Sequence, residues 1–246
     1  MSSISAAIIQ ARTGSTRYPN KALVDICGAP MTEHIINRVK AVGVFDAIVL
    51  AIPDRPSETP LAELAERLEI PCHRGPEDDV LSRFIGAAES VSADHVLRVC
   101  GDNPLVDIPL MSELQKAHLH AHADYTIVRD PIPLGTGTEM VSLAALRKIS
   151  AATREPRYIE HVTSYFHDHE SGFTVKKIPA PFHLRNMPLR LTMDTEADLA
   201  LLRHVYEKFH VPYLPIDLEQ VIFYLVNRPE VYQMNSHVEQ KDWRAT

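Results

Sequence analysis

The chain has 246 residues, 45% of them hydrophobic and 23% charged, with a formal net charge of -7. That balance describes a globular protein with a real core, and no apolar run approaches the roughly 20 residues that cross a bilayer. An acidic sum also argues against nucleic acid as the main partner, because non-specific affinity for it rests on a basic surface.

Three widely spaced cysteines, Cys27, Cys72 and Cys100, suit neither a disulfide framework nor a zinc site. The start, "MSSISAAIIQ", lacks the basic and long apolar regions of a signal peptide. A cytoplasmic protein with no membrane partner is expected.

In chain order, "AAIIQ" (6–10), "DAIVLAI" (46–52) and "DHVLRV" (94–99) read as short buried strands bounded by polar turns. Between them, "MTEHIINRVKAVG" repeats apolar residues at three- and four-residue steps, with Gly43 as C-cap. "PLAELAERLEI" (60–70) and "DDVLSRFIGAAESV" (78–91) show the same period. Strand alternating with helix predicts βαβ units and a mainly parallel α/β sheet.

The second half is less regular. A helix is expected in "LMSELQKAHLHAHA", a strand in "DYTIVRD", a loop in "PIPLGTGTEM", and helices in "SLAALRKISAA" and "RYIEHVTSYFHDH". "FTVKKIP" and "PLRLTM" are strand candidates, "EADLALLRHVYEKF" is helical, and "LEQVIFYLVNRPEVYQMN" reads as one helix plus an irregular end. A single domain, with a small embedded insertion around 125–190, is the economical organisation.

The segment "IIQARTGSTRYPNKAL" (8–23) holds Arg12, Arg17 and Lys21 and no acid. It follows the first strand, where parallel sheets bind ligands. Gly14 lets backbone approach an anion, Ser15 and Thr16 add hydroxyls, and successive N–H groups there form an anion-binding concavity. Neither a Walker loop nor a G-x-G-x-x-G fingerprint is present. On charge alone, a solvated basic turn remains open.

Asp102, in "RVCGDNPL", follows the third strand and is placed to reach a phosphate-bound cation, since magnesium favours one or two carboxylates plus phosphate oxygens. Asp194, in "LTMDTEADL", serves either a site or the N-cap of the next helix. Asp107 and Asp198 read as structural, and Glu77 to Asp79 as the start of a helix. His118 and His122 have a metal-ligand spacing without a supporting carboxylate pair or cysteine, so a metal site there is disfavoured.

The pattern A-R-x-G-S-T-R-x-P-x-K resembles the signature loop of nucleotide-activating sugar transferases. More narrowly, the chain resembles the cytidylyltransferase family that includes CMP-Kdo synthetase and acylneuraminate cytidylyltransferases. Within it, the nearest likeness is to the branch of spore coat polysaccharide biosynthesis protein F, whose loop typically reads "IIQARxGSTRLPGKxL". Here Tyr18 replaces Leu, and Asn20 replaces Gly, a mild change because Asn tolerates a left-handed backbone. The likeness continues through "RGPEDDVLSRF", "VCGDNPLVD" and, more weakly, "LTMDTEADL", over about residues 5 to 200.

The resemblance implies a three-layer, Rossmann-like nucleotidyltransferase (GT-A-like) fold with a mainly parallel mixed sheet. It implies a magnesium-dependent enzyme that joins CTP to the hydroxyl of a sugar or sugar acid, giving a CMP-sugar and pyrophosphate for polysaccharide or glycan biosynthesis. Arg12, Lys21 and Asp102 would be catalytic, with Gln10, Ala11, Gly14, Ser15, Arg17 and Arg74 binding the nucleotide beside them. Arg74 would contact cytosine. Asp102 and Asp194 would hold Mg2+, and Asn103, Glu139 and Arg190 would meet the acceptor. Thr136, Thr138 and Glu139 lie in the loop suited to sugar hydroxyls, Arg154 and His161 are weaker acceptor candidates, and the family implies a homodimer with its contact in 125–190.

Two other readings stand beside this one. A glycosyltransferase of similar fold usually carries a D-x-D metal motif near the middle of its sequence, which is lacking here. A non-catalytic nucleotide-binding protein is disfavoured by the presence of Lys21, Asp102 and Asp194 together.

Overall fold

The computed structural model describes residues 3–240. Its elements in chain order begin with β1 (Ser5–Gln10), the ribbon β2 (Asp25–Ile26) and β3 (Ala29–Pro30), α1 (Met31–Val42), β4 (Ala47–Pro53) and α2 (Thr59–Arg67). There follow β5 (Cys72–Gly75), α3 (Val80–Ser90), β6 (His95–Cys100), α4 (Ile108–His120), β7 (Tyr125–Val128), β8 (Glu139–Ser142) and α5 (Leu143–Ala152). The chain continues with α6 (Pro156–Glu160), α7 (Ser164–Asp168), β9 (Val175–Ile178), α8 (Glu196–Phe209), α9 (Leu218–Val226) and α10 (Pro229–Tyr232). No helix among the described residues is long and apolar enough to cross a membrane.

Seven strands form one sheet in the order β5-β4-β1-β6-β8-β7-β9. The pairs β1–β4, β1–β6, β4–β5 and β7–β9 are parallel, while β8 runs antiparallel to both β6 and β7. The central strands are apolar runs because helices cover both faces. Ala7 and Ile9 face one core, with α1, α2, α4, α8 and α9; Ala6 and Ile8 face the other, with α3, α5 and α7. The result is a three-layer α/β fold.

The chain leaves β1 toward β4 and β5, then returns to the opposite side as β6. That reversal opens a crevice at the carboxyl ends of β1 and β6, where open α/β sheets bind ligands. The two ends are held close by Gly101 N–H donating to the Gln10 carbonyl at 2.8 Å. A Cβ on Gly101 would lie 2.3 Å from that same oxygen, so the approach requires glycine.

The helices expected in the first half form where the periodicity places them, and Gly43 ends α1 at φ 69°. β5, however, has no counterpart among the expected strands. β8 begins inside the segment expected to be a loop, and brings that segment's last two residues, Glu139 and Met140, into the sheet. "PLRLTM" makes no strand, only a bridge between Leu134 and Arg190. "RYIEHVTSYFHDH" breaks into α6 and α7, because Val162 is fully buried and Thr163 turns inward to donate to Glu139 at 2.7 Å. The segment 125–190 supplies β7, β8 and β9 to the common sheet.

Candidate nucleotide-transfer site

The loop after β1 winds around Thr13, whose carbonyl accepts from Ser15 N–H and Asn20 N–H, each at 2.9 Å. Thr13 is itself held by Glu58, which accepts from its N–H and its hydroxyl at 2.8 Å each. Glu58 is fully buried and also pairs with Arg55 at 2.8 Å. Burial alone would raise its carboxyl pKa, but Arg55 and Thr13 hold it below the usual range. This glutamate is not legible as a site residue in the sequence: nothing in "DRPSETP" distinguishes it from a surface acid.

The positive backbone angle in this loop belongs to Asn20 (φ 59°), not to Gly14. Gly14 is needed for space instead, since a Cβ there would meet the Arg55 guanidinium at 2.3 Å. Asn20 then starts the single 3-10 turn Lys21–Leu23, which turns the Lys21 side chain toward the crevice.

There Lys21 Nζ donates to Asp102 Oδ2 at 2.9 Å, to Asp194 Oδ1 at 2.8 Å and to the Met193 carbonyl at 3.1 Å. Burial alone would lower the ammonium pKa, but the two carboxylates raise it above its ordinary value. Asp194 also accepts from Arg17 Nη2 at 2.7 Å and from Arg190 Nη2 at 3.1 Å. The structure thus draws three regions, far apart in sequence, to one point.

It also decides between the two roles open to Asp194. The N-cap of α8 is Thr195, which forms a capping box with Asp198. Asp194 is left to face the cations. Asp107 and Asp198 have structural partners as expected: Asp107 caps α4, and Asp198 accepts from Arg190 at 2.8 and 3.0 Å. Asp79 caps α3.

The crevice encloses about 540 Å3, and Gln10, Ala11, Arg12, Ser15, Arg17 and Lys21 line it from the β1 side. Asp102, Asn103 and Asp194 line it opposite, with Arg83, Arg98 and His161 toward the α3 and α6 side. Arg12 is exposed and makes no ion pair among the described residues. Gln10 Oε1, Arg83 Nε and Arg98 Nε are buried without a protein partner, polar groups available to a ligand. Burial pushes the Cys100 thiol up to about 11, against the pull of Arg98, which removes it as a nucleophile near neutral pH.

Of the remaining sequence-predicted residues, Asn103 is at the crevice and several others fall elsewhere. Arg74 lies on β5, donates to the Arg55 carbonyl at 3.1 Å, and is not among the residues lining the crevice. Arg83, in the same "RGPEDDVLSRF" stretch but not expected to reach the site, lines it instead. Asn103 lies beside Asp102; with its amide nitrogen turned to the acceptors it donates to Thr192 Oγ1 at 2.9 Å and Asp102 Oδ1 at 3.2 Å. Glu139 sits behind the crevice wall, accepting from Arg98, Tyr125 and Thr163.

Thr136 and Thr138 are buried, so the "PLGTGTEM" segment does not offer them as a free loop. Arg190 has only 9% of its side chain exposed and is committed to Asp194 and Asp198. Arg154 bonds the Ser150 and Thr153 carbonyls on the surface. His118 is buried against Thr126 and His95, whereas His122 lies beyond the end of α4, so the two do not share a helix face.

The arrangement supplies cations for a phosphate chain, hard carboxylate oxygens for a divalent ion, and glycine-enabled close approach of backbone. A cytidylyltransferase family model matches residues 6–241. Spore coat polysaccharide biosynthesis protein SpsF of Bacillus subtilis is 34% identical over 206 residues, covering 82% of this chain and 85% of that protein.

Among solved structures, a cytidylyltransferase from Leptospira borgpetersenii serovar Hardjo-bovis matches with a TM-score of 0.87 at 21% identity, covering 98% of this chain and 100% of the other. A CMP:2-keto-3-deoxy-manno-octonic acid synthetase complexed with CTP matches at 0.67 and 17% identity, covering 84% and 99%. At these identities the likeness is one of fold, and that fold is the Rossmann-like one of nucleotidyltransferases. With residues 6–241 matched by one model, the chain belongs to the cytidylyltransferase family of nucleotidyltransferases.

Proposed function

We propose that this protein joins CTP to the hydroxyl of a sugar or sugar acid, releasing pyrophosphate, with Mg2+ as cofactor, in polysaccharide or glycan biosynthesis. The observation that carries this reading is the convergence of Asp102 and Asp194 on one ammonium at 2.9 and 2.8 Å, beneath a basic loop. A related fold was solved with CTP bound, which supports the choice of nucleotide. We take the protein to act as a homodimer through 125–190, as the family resemblance implies.

In the reaction the acceptor oxygen forms a bond to the α-phosphorus, the bond from that phosphorus to the bridging oxygen breaks with its electron pair leaving on pyrophosphate, and the hydroxyl proton passes to water. Such transfers depend on positioning and charge neutralisation more than on covalent help from the protein. Arg12, Arg17 and Lys21 hold the triphosphate, Arg as a fork and Lys as a point charge. Gln10, Ala11 and Ser15 line the same wall.

Two carboxylates that meet at one cation suit Mg2+, which takes one or two carboxylates and completes its shell with phosphate oxygens and water. Asp102 and Asp194 would hold it there, and its charge would offset that of the phosphates. Asn103, through its contacts to Asp102 and Thr192, keeps that carboxylate oriented.

The test is a thermal-shift panel of CTP, UTP, ATP and GTP, each with and without Mg2+. A ligand at about 100 times its Kd stabilises by roughly 2.7 kcal/mol. The expected result is a CTP- and Mg2+-dependent rise in Tm that Asp102→Ala abolishes. A Tm unmoved by all four nucleotides sinks the reading.

A further inference from the structure

The residues that fix Asp194 do not end with the motif that contains it. Asp198 is fully buried, and its carboxylate accepts from Arg190 Nε at 2.8 Å and Nη2 at 3.0 Å. It also accepts from the backbone N–H groups of Asp194 and Thr195, at 3.0 Å each. Arg190 Nη2 is shared with Asp194 Oδ2 at 3.1 Å. One arginine therefore bridges a purely structural carboxylate and one that faces the crevice.

Two side chains from beyond α10 complete the arrangement. Asn235 is 1% exposed, and its Nδ2 donates both to Asp198 Oδ1 at 2.8 Å and to the Arg190 carbonyl at 3.0 Å. It ties the backbone at 190 to the side chain at 198. Gln240 Oε1 accepts from Arg190 Nη1 at 2.7 Å, and Gln240 also lines the crevice.

Asp194 Oδ1 is the oxygen shared by Lys21 and Arg17, while Arg190 keeps Oδ2. When Lys21 and Arg17 both turn to phosphate, Oδ1 is freed for a divalent ion while Arg190 holds the other oxygen in place. A carboxylate fixed through one oxygen has lost its freedom to rotate before the ion arrives, which raises affinity by preorganisation.

We propose that Asn235, aided by Gln240, is a positioning residue for the divalent-ion site: it locks Asp198 and Arg190, and through them the orientation of Asp194. This rests on the functional reading above and extends it to a segment outside the sequence motifs. In the sequence, "NRPEVYQMN" reads only as an irregular end.

The experiment measures Mn2+ binding to the full chain by the water-proton relaxation enhancement of protein-bound Mn2+, with CTP equimolar to the protein and a Mn2+–CTP solution as the blank. In parallel, CTP affinity is measured without metal. Asn235→Ala and Gln240→Ala are compared with wild type, each checked for folding by circular dichroism and thermal melting. We expect Mn2+ affinity to fall about tenfold in Asn235→Ala and two- to threefold in Gln240→Ala. In Asn235→Ala, which lies outside the crevice, metal-free CTP affinity should stay within twofold, and turnover should recover at high Mg2+.

A merely structural role would lower Tm and leave the metal affinity of the folded protein unchanged; that result in a folded Asn235→Ala overturns the proposal. If Asn235→Ala does not fold, the exposed Gln240→Ala decides, and wild-type Mn2+ affinity there overturns it equally. Absence of Mn2+ binding in the wild type itself overturns the functional reading and this inference with it, whereas failure confined to the variants overturns only this inference.

Discussion

Replacing Lys21 with methionine keeps the stem and removes the ammonium that Asp102 and Asp194 share. In the wild type that ammonium donates to both carboxylates, at 2.9 and 2.8 Å. Charge-assisted hydrogen bonds contribute roughly 1.5–3 kcal/mol each. A divalent ion entering alone must displace them, and a triphosphate entering alone must draw the lysine away from them. Each ligand therefore removes part of the obstacle to the other.

Without the ammonium, the two facing oxygens lie within about 6 Å of one another, and their repulsion is roughly 1–3 kcal/mol at an effective dielectric of 80 to 20. Lys21→Met should thus bind Mn2+ in the absence of nucleotide about 10- to 100-fold more tightly than wild type. It should bind CTP at least tenfold more weakly. Isothermal titration with Mn2+ alone and with CTP alone reads both. Wild-type CTP affinity in the variant would refute the assignment of the lysine to phosphate, and unchanged Mn2+ affinity would refute the shared cation position.

Three further outcomes follow from the geometry. Gly101→Ala puts a methyl 2.3 Å from the Gln10 carbonyl, which must separate the ends of β1 and β6; urea unfolding should show a loss of about 1–3 kcal/mol, together with weakened nucleotide binding. Glu58→Ala strips Thr13 and Arg55 of their shared carboxylate. Because Arg55 is 29% exposed, the cost should be about 2–4 kcal/mol, at or below the usual cost of breaking a buried pair, and the loosened loop should also raise the Kd for CTP. His118 is held neutral, its pKa lowered to about 4 by burial and by neighbouring His95. Its contribution to stability is fully present above the unfolded value near 6.5 and is lost as pH falls from there toward 4. The loss amounts to roughly 3 kcal/mol, and His118→Gln should flatten that part of the stability profile.

The first hundred residues are legible because a parallel strand covered on both faces must be an apolar run, as "AAIIQ" and "AIVLAI" are. β5 escapes because "CHRG" is four residues long and only Gly75 is buried. β8 escapes because Glu139 opens it, and a glutamate reads as solvated until Arg98, Tyr125 and Thr163 are seen around it. The loop and Asp102 stand out from residue type and position after a strand.

The role of Asp194 is beyond local reading, since a cap and a ligand have the same local sequence; only the presence of Thr195 at the cap separates them. Arg190, expected at the acceptor, is instead committed to two carboxylates. Its partners Asp198, Asn235 and Gln240 are far enough apart in sequence that no spacing rule joins them.

The bond from Lys21 to Asp194 spans 173 positions. On a ribosome adding about 5–20 residues per second, the basic loop waits on the order of ten to thirty seconds for its acidic partner to be synthesised. During that interval the β1 loop of the nascent polypeptide carries positive charge with no aspartate from 194 to cover it. The same span makes the transfer site a product of late closure: a polypeptide interrupted before the TMDT segment holds every strand of the seven-stranded sheet and still offers phosphate only half a site.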